Sequence, residues 1–214
     1  EFLNRDIQAE EDVSAAVDEI LAEVRRNGDA ALREYTKRFN GVELDNLRVT
    51  QEEFDAARKT VDSCFLETLK EAAENIWRFH ERQKHNDFIL TDRPGMVMGQ
   101  RWTAIEKVGV CVPRCPEAFP STILMNAIPA KIAGVETIVL VTPPGPDGSV
   151  SSEALMAAEL AGVTDVFKLG GAQAVAALAY GTETVPRTDK IVGPGGVFVA
   201  TAKRTVFGQV DIDM

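Results

Sequence analysis

At 214 residues and a net charge of −10, the chain has material for a sizeable core and no basic excess to attract nucleic acid or an anionic membrane. Its 45% apolar and 26% charged residues are those of an ordinary soluble globular protein, and no apolar run reaches the roughly 18–20 residues that cross a bilayer. No basic segment followed by an apolar stretch opens the sequence, and three cysteines, an odd number, suit a reducing compartment better than a disulfide framework, so a soluble, cytoplasmic α/β protein is the expectation.

In chain order, Val13, Ala16, Val17, Ile20, Leu21 and Val24 recur at helical spacing, and Asn27-Gly28 supplies a stop. Asp29 can cap a second helix over 30–39 that ends at Asn40-Gly41. Thr50 and Glu53 have the spacing of a capping box. A longer helix over about 63–83 carries Leu66, Leu69, Ala73, Ile76 and Phe79 on one stripe, which reads as core-facing. Pro94-Gly95 opens a turn, and the extended segments 96–103 and 104–112 are expected to pair as a hairpin.

From about residue 108 the pattern changes. Short apolar runs at 108–112, 137–141, 165–169 and 189–192 are each followed by a Gly- or Pro-rich turn and a helical pattern. The helices are expected from about Ser121, from about Ser151, over 172–180 and from the last turn to about Phe207. Apolar runs alternating in this way with helices are the mark of successive βα units, and so of a parallel sheet covered on both faces. The expected fold is therefore α/β, a Rossmann-like though incomplete parallel sheet preceded by a mainly helical N-terminal region. The dividing line falls between residues 107 and 108. Pro129, inside the helix that follows the first strand, predicts a kink or break at Ile128.

Ligands of such sheets sit beyond the carboxyl ends of the strands, which is where the unusual turns fall. Gly193-Pro194-Gly195-Gly196 joins a strand to a helix and can present backbone N–H groups to a phosphate or carboxylate. It is equally a plain tight turn, because Phe198 stands where the dinucleotide fingerprint has its third glycine. Gly170-Gly171-Ala172-Gln173 puts an amide in the first turn of its helix, where it either meets a ligand or does not. Cys111 and Cys115 are spaced C-x₃-C, poor for zinc or thioredoxin-type chemistry. Arg114 could activate the neighbouring thiol, and buried, inert cysteine is the competing reading. His80 and His85 are five apart, so they do not share a helical face as metalloprotease ligands do. No metal-ligand cluster or nucleophile elbow is visible.

Several blocks together resemble the histidinol dehydrogenase family: FHERQ at 79–83, FPSTILMNAIPAKIAGV at 119–135, GGAQAVAALAYGTETVP at 170–186, DKIVGPG at 189–195 and AKRTVFGQVDIDM at 202–214. The resemblance implies a zinc-dependent, homodimeric enzyme that oxidises L-histidinol to L-histidine through the aldehyde, consuming two NAD⁺ in the last step of histidine biosynthesis. It implies that family sequence continues past the IDM block, and that the zinc ligands and the Glu–His acid–base pair lie in that continuation. No residue here inherits a catalytic or metal role. It further implies that 1–107 is part of an incomplete first domain and that 108–214 is the NAD-binding domain.

The resemblance places cofactor contacts at Cys111, Gln173 and Gly196, where the family usually has tyrosine, glutamine and asparagine, and it replaces a family Gly-Gly by Arg114 and Cys115. Each lost contact is worth about 1–3 kcal/mol, together tens to thousands of fold in affinity. Three readings are open. The first is the N-terminal half of a histidinol dehydrogenase, without turnover on its own. The second is a non-catalytic βα binding or interaction module with weakened or lost NAD affinity. The third uses Cys111 or Cys115 as a nucleophile.

Overall fold

The computed structural model describes residues 7–113 and 120–213. Helix α1 (Ile7–Asn40) bends sharply at Gly28, whose φ of +51° and ψ of −129° interrupt the helix where the Asn-Gly stop predicts. Asp29 does not cap the helical segment beyond that bend. Its carboxylate accepts from the Thr182 hydroxyl at 2.6 Å, while its own N–H donates to Glu183 Oε2 at 2.7 Å. A distant loop thus supplies the acceptor that a local cap would have given, and sequence spacing carries no trace of it.

Helix α2 (Gln51–Thr60) opens with the expected capping box: the Thr50 side chain accepts from the Glu53 N–H, and the Glu53 carboxylate accepts from the Thr50 N–H. Helix α3 (Ser63–His80) runs into a 3₁₀ turn over Glu81–Gln83. Leu69 is buried and Leu66, Ala73 and Ile76 pack against the core, but Phe79 is 64% exposed. It lies at the helix end, one residue before the helix gives way to the 3₁₀ turn.

Strands β1 (Phe88–Arg93) and β2 (Met96–Gln100) form an antiparallel hairpin about Pro94-Gly95. This corrects the expected pairing of 96–103 with 104–112. Gly95, at φ +80°, makes a tight turn that folds the preceding segment back onto β2, and the following segment is claimed by the parallel sheet.

That sheet comprises β3 (Lys107–Cys111), β4 (Thr137–Val141), β5 (Asp165–Phe167), β6 (Lys190–Val192) and the two-residue β7 (Asp211–Ile212), in the order β5-β4-β3-β6-β7. All four pairings are parallel. Helices α4 (Pro120–Ala133), α5 (Ser152–Leu160), α6 (Gly171–Tyr180) and α7 (Val197–Val206) connect them. Helix α4 passes through Pro129 without the break expected at Ile128. The carbonyl that loses its helical partner to the missing N–H belongs to Met125, a half-exposed residue.

The sheet separates two apolar layers, and alternation along each strand serves both. Val139 and Val141 face the layer shared with Val17, Leu21, Leu32 and Leu178, whereas Ile138 and Leu140 face the layer of Ile123, Leu124 and Leu155. Helices α1, α6 and α7 cover the first face, and α2, α3, α4 and α5 the second. The N-terminal helices therefore pack on both sides of the sheet, and both cores cross the 107/108 line. Helix α6 is buried from Ala172 through Ala179. Its alanines let α1 and α7 close over it, which explains why it lacks a polar face. Truncating a fully buried residue such as Ile138 or Leu140 to alanine would cost about 2–5 kcal/mol.

Candidate functional site

From β3 the chain steps outward through β4 to β5, then returns to lay β6 on the other side of β3. The order reverses between β3 and β6, and the connections leaving their carboxyl ends diverge there to leave a crevice. A cavity of about 660 Å³ occupies it. Its floor is Cys111, Val112 and Pro113 after β3 and Pro194, Gly195 and Gly196 after β6, with Pro143 and Gly170-Gly171 from the neighbouring turns.

Gly193 opens the β6 turn at φ +107°. A Cβ there would lie 2.1 Å from the Cys111 carbonyl oxygen, so the two backbones touch and only glycine fits. Its N–H donates to Asp213 Oδ2 at 2.7 Å. Its carbonyl accepts from Lys203 Nζ at 3.1 Å, and that ammonium also pairs with Asp213 Oδ1. Helix α7 then starts at N-cap Gly196 and α6 at N-cap Gly170, neither with a side-chain cap. Their first-turn N–H groups are thus left to an outside acceptor.

Gln173 is 2% exposed, and its Oε1 is buried with no hydrogen-bond partner among the described residues. It lines a recess of about 210 Å³ with Phe39, Asn40, Pro143, Gly170, Gly171 and Phe198, most of which also border the main cleft. A buried acceptor without a donor costs about 1–3 kcal/mol, so its retention at a recess points to a ligand donor.

Cys111 lies on the cleft floor with its thiol pushed up to about 12, chiefly by burial, with Lys203 opposing and Asp213 adding to the rise. A thiol so protonated near neutral pH is no nucleophile, which removes the nucleophilic reading for this residue. Arg114 and Cys115 lie outside the described residues.

Cys111, Gln173 and Gly196 therefore come together around one cleft and its recess. Phe39 and Asn40 join them from the end of α1, and Phe198 from the start of α7. Sequence reasoning missed these three. Asn40 reads locally as a helix stop, and only the packing of α1 beside α6 brings it to the strand tips.

A second groove, of about 570 Å³, lies on the α4 face of the sheet, lined by His80, His85, Trp102, Asn126, Pro129, Lys190 and Asp213 among others. The His85 and Trp102 rings stack at 4.2 Å. Among the described residues no three His, Cys, Asp or Glu side chains group as a metal site, and no helix is long and apolar enough to cross a membrane.

Comparison with known proteins adds the family. The model for "Histidinol dehydrogenase" matches residues 3–214. The histidinol dehydrogenase of Bacillus subtilis is 50% identical over 99% of this chain and 50% of its own length. That of Geobacillus kaustophilus is 51% identical over 95% of this chain and 48% of its own. The crystal structure of histidinol dehydrogenase from Elizabethkingia anophelis superposes with a TM-score of 0.91 at 35% identity, covering 99% of this chain and 48% of that one. The chain thus spans about half the length of the relatives it matches.

Proposed function

The chain belongs to the histidinol dehydrogenase family, and on that premise we propose that its strand-tip cleft is the dinucleotide-binding half of an NAD-dependent oxidation of L-histidinol to L-histidine through L-histidinaldehyde. The observation that carries this reading is the buried Oε1 of Gln173, without a donor among the described residues, beside a cleft at the strand-order reversal. Bound NAD⁺ supplies the hydride acceptor. The chain's own residues bind and orient it. First-turn N–H groups of α6 and α7 would hold the diphosphate, and Gln173 would offer its carbonyl to a donor on the cofactor. Cys111, protonated, excludes water from the floor and moves no proton.

Zinc belongs to the same reading of the family, but the described residues contain no group that fits it. The proposal extends to a cytoplasmic, homodimeric enzyme whose partner is a small-molecule alcohol rather than nucleic acid or membrane.

Calorimetry with NAD⁺ tests the cofactor assignment. Saturable micromolar binding is expected, without reduction of the cofactor when L-histidinol is added to this 214-residue chain alone. Robust NADH formation would place catalytic groups within this half and overturn that division of labour. Absence of binding would instead favour the non-catalytic module, which the family assignment does not favour.

A further inference from the structure

Lys203 is 4% exposed, a rare state for a lysine unless its charge is matched and its donors are used. It sits on α7, with its side chain reaching back towards the start of that helix, the direction in which helical side chains lean. Its Nζ donates to the Gly193 carbonyl at 3.1 Å and pairs with Asp213 Oδ1, while Asp213 Oδ2 receives the Gly193 N–H at 2.7 Å. The result is a closed ring of hydrogen bonds through both peptide groups of one buried glycine. Neither Lys203 nor Asp213 lines the main cleft, so they reach a ligand there only through the turn.

An ion pair with only its lysine buried is weak evidence for stability, since well-packed apolar residues often do as well. A pair that satisfies both polar groups of a single glycine has a narrower use. Gly193 abuts the end of β3, and Pro194 follows with its φ restrained. Fixing the peptides on either side of Gly193 thus fixes the direction in which Gly195, Gly196 and the α7 N–H groups are presented. We infer that Lys203 and Asp213 are positioning residues that hold the Gly193–Gly196 turn in the shape that receives the dinucleotide. The inference rests on the cofactor reading of the cleft.

Two measurements on the 214-residue chain separate the inference from that reading. Amide hydrogen exchange needs no cofactor. In Lys203→Met, exchange at Gly193, whose N–H is held by Asp213, is expected to rise at least about tenfold, with the Leu140 and Ala176 amides unchanged. NAD⁺ affinity by calorimetry is expected to fall about tenfold to a hundredfold, the range for a lost charge-assisted bond. Asp213→Asn, which removes the charge and keeps the shape, should show both effects and covers the case in which Lys203→Met does not fold. Unchanged exchange at the turn in a folded variant overturns the positioning role, whether or not NAD⁺ binds. Freed exchange with unchanged NAD⁺ affinity also overturns it, because the turn would then be held for structure alone. Freed exchange in a protein whose wild type binds no NAD⁺ overturns the cofactor reading and, with it, the ligand assigned to the clamp.

Discussion

The strand-tip cleft and the hairpin side of the molecule are built on opposite plans. Around the cleft the interior polar groups of the β6 turn are accounted for: both peptide groups of Gly193 are bonded, Lys203 is paired, and Cys111 is held neutral. Among the described residues, Gln173 Oε1 is left buried without a partner, and the starts of α6 and α7 carry no side-chain cap. On the hairpin side the polar groups face water and the apolar ones do too, with Ile89 73% and Val97 74% exposed and the two strands packing chiefly on each other. An exposed apolar surface says only that a covering partner is wanted. A cleft with one buried orphan acceptor and two uncapped helix starts says what kind of ligand is wanted. The difference teaches that the site is marked by hydrogen-bond accounting rather than by apolar area.

Glycine substitutions break the comparison most strongly. Gly193→Ala, at φ +107° with a Cβ 2.1 Å from the Cys111 carbonyl, is expected to cost about 3 kcal/mol or more and to abolish NAD⁺ binding. Gly95→Ala in the hairpin turn, at φ +80° with nothing within 4 Å, should cost only about 1 kcal/mol and leave binding alone. Denaturant midpoints of the two variants check the contrast, and equal losses would contradict it.

The next effect is alkaline. The Cys111 thiol lies at about 12 in the folded chain against an ordinary 9.0. Above that ordinary value the unfolded chain loses the proton first, so unfolding is favoured. The stabilising contribution is whole below pH 9.0 and is lost as pH climbs towards about 12. Cys111→Ala should flatten that part of the stability curve, measured by chemical denaturation across the interval; an unchanged slope would mean that the thiol is not buried.

A smaller effect has opposite signs for folding and binding. Gln173→Met removes an unsatisfied acceptor, so stability should rise by about 1 kcal/mol while NAD⁺ affinity falls about tenfold. A loss of both would mean that Oε1 already has a partner. Smallest in structural terms is Gly196→Asn. Its backbone is unstrained, and an added Cβ meets nothing within 4 Å. Stability should move by less than about 0.5 kcal/mol. Affinity should rise towards tenfold, on the order of one added hydrogen bond, and calorimetry reads the change.

Much of this was legible in the residues. The four apolar runs became β3 to β6, their turns became the strand-tip cleft, and Thr50 with Glu53 formed the capping box, because short-range periodicity and capping chemistry are local. The features that escaped depended on partners far along the chain. Asp29 reads as a cap until Thr182 and Glu183 are seen beside it. Lys203 is buried by Asp213 and Gly193, partners that no local pattern around it reveals. Strand β7 has only two residues, too few for a pattern. The hairpin was misassigned because one strand was as extended as the other, and the choice of partner lay in the turn. Phe39 and Asn40 reach the recess only through the packing of a helix that ends more than 130 residues before Gln173.

The most direct test is an NMR titration of the labelled chain with NAD⁺. The account predicts saturable shifts confined to the amides of Gly195, Gly196 and the first turns of α6 and α7, together with the side-chain amide of Gln173. Shifts clustered instead at His85, Trp102 and Asn126 in the second groove, or no saturable shift at all, would contradict it.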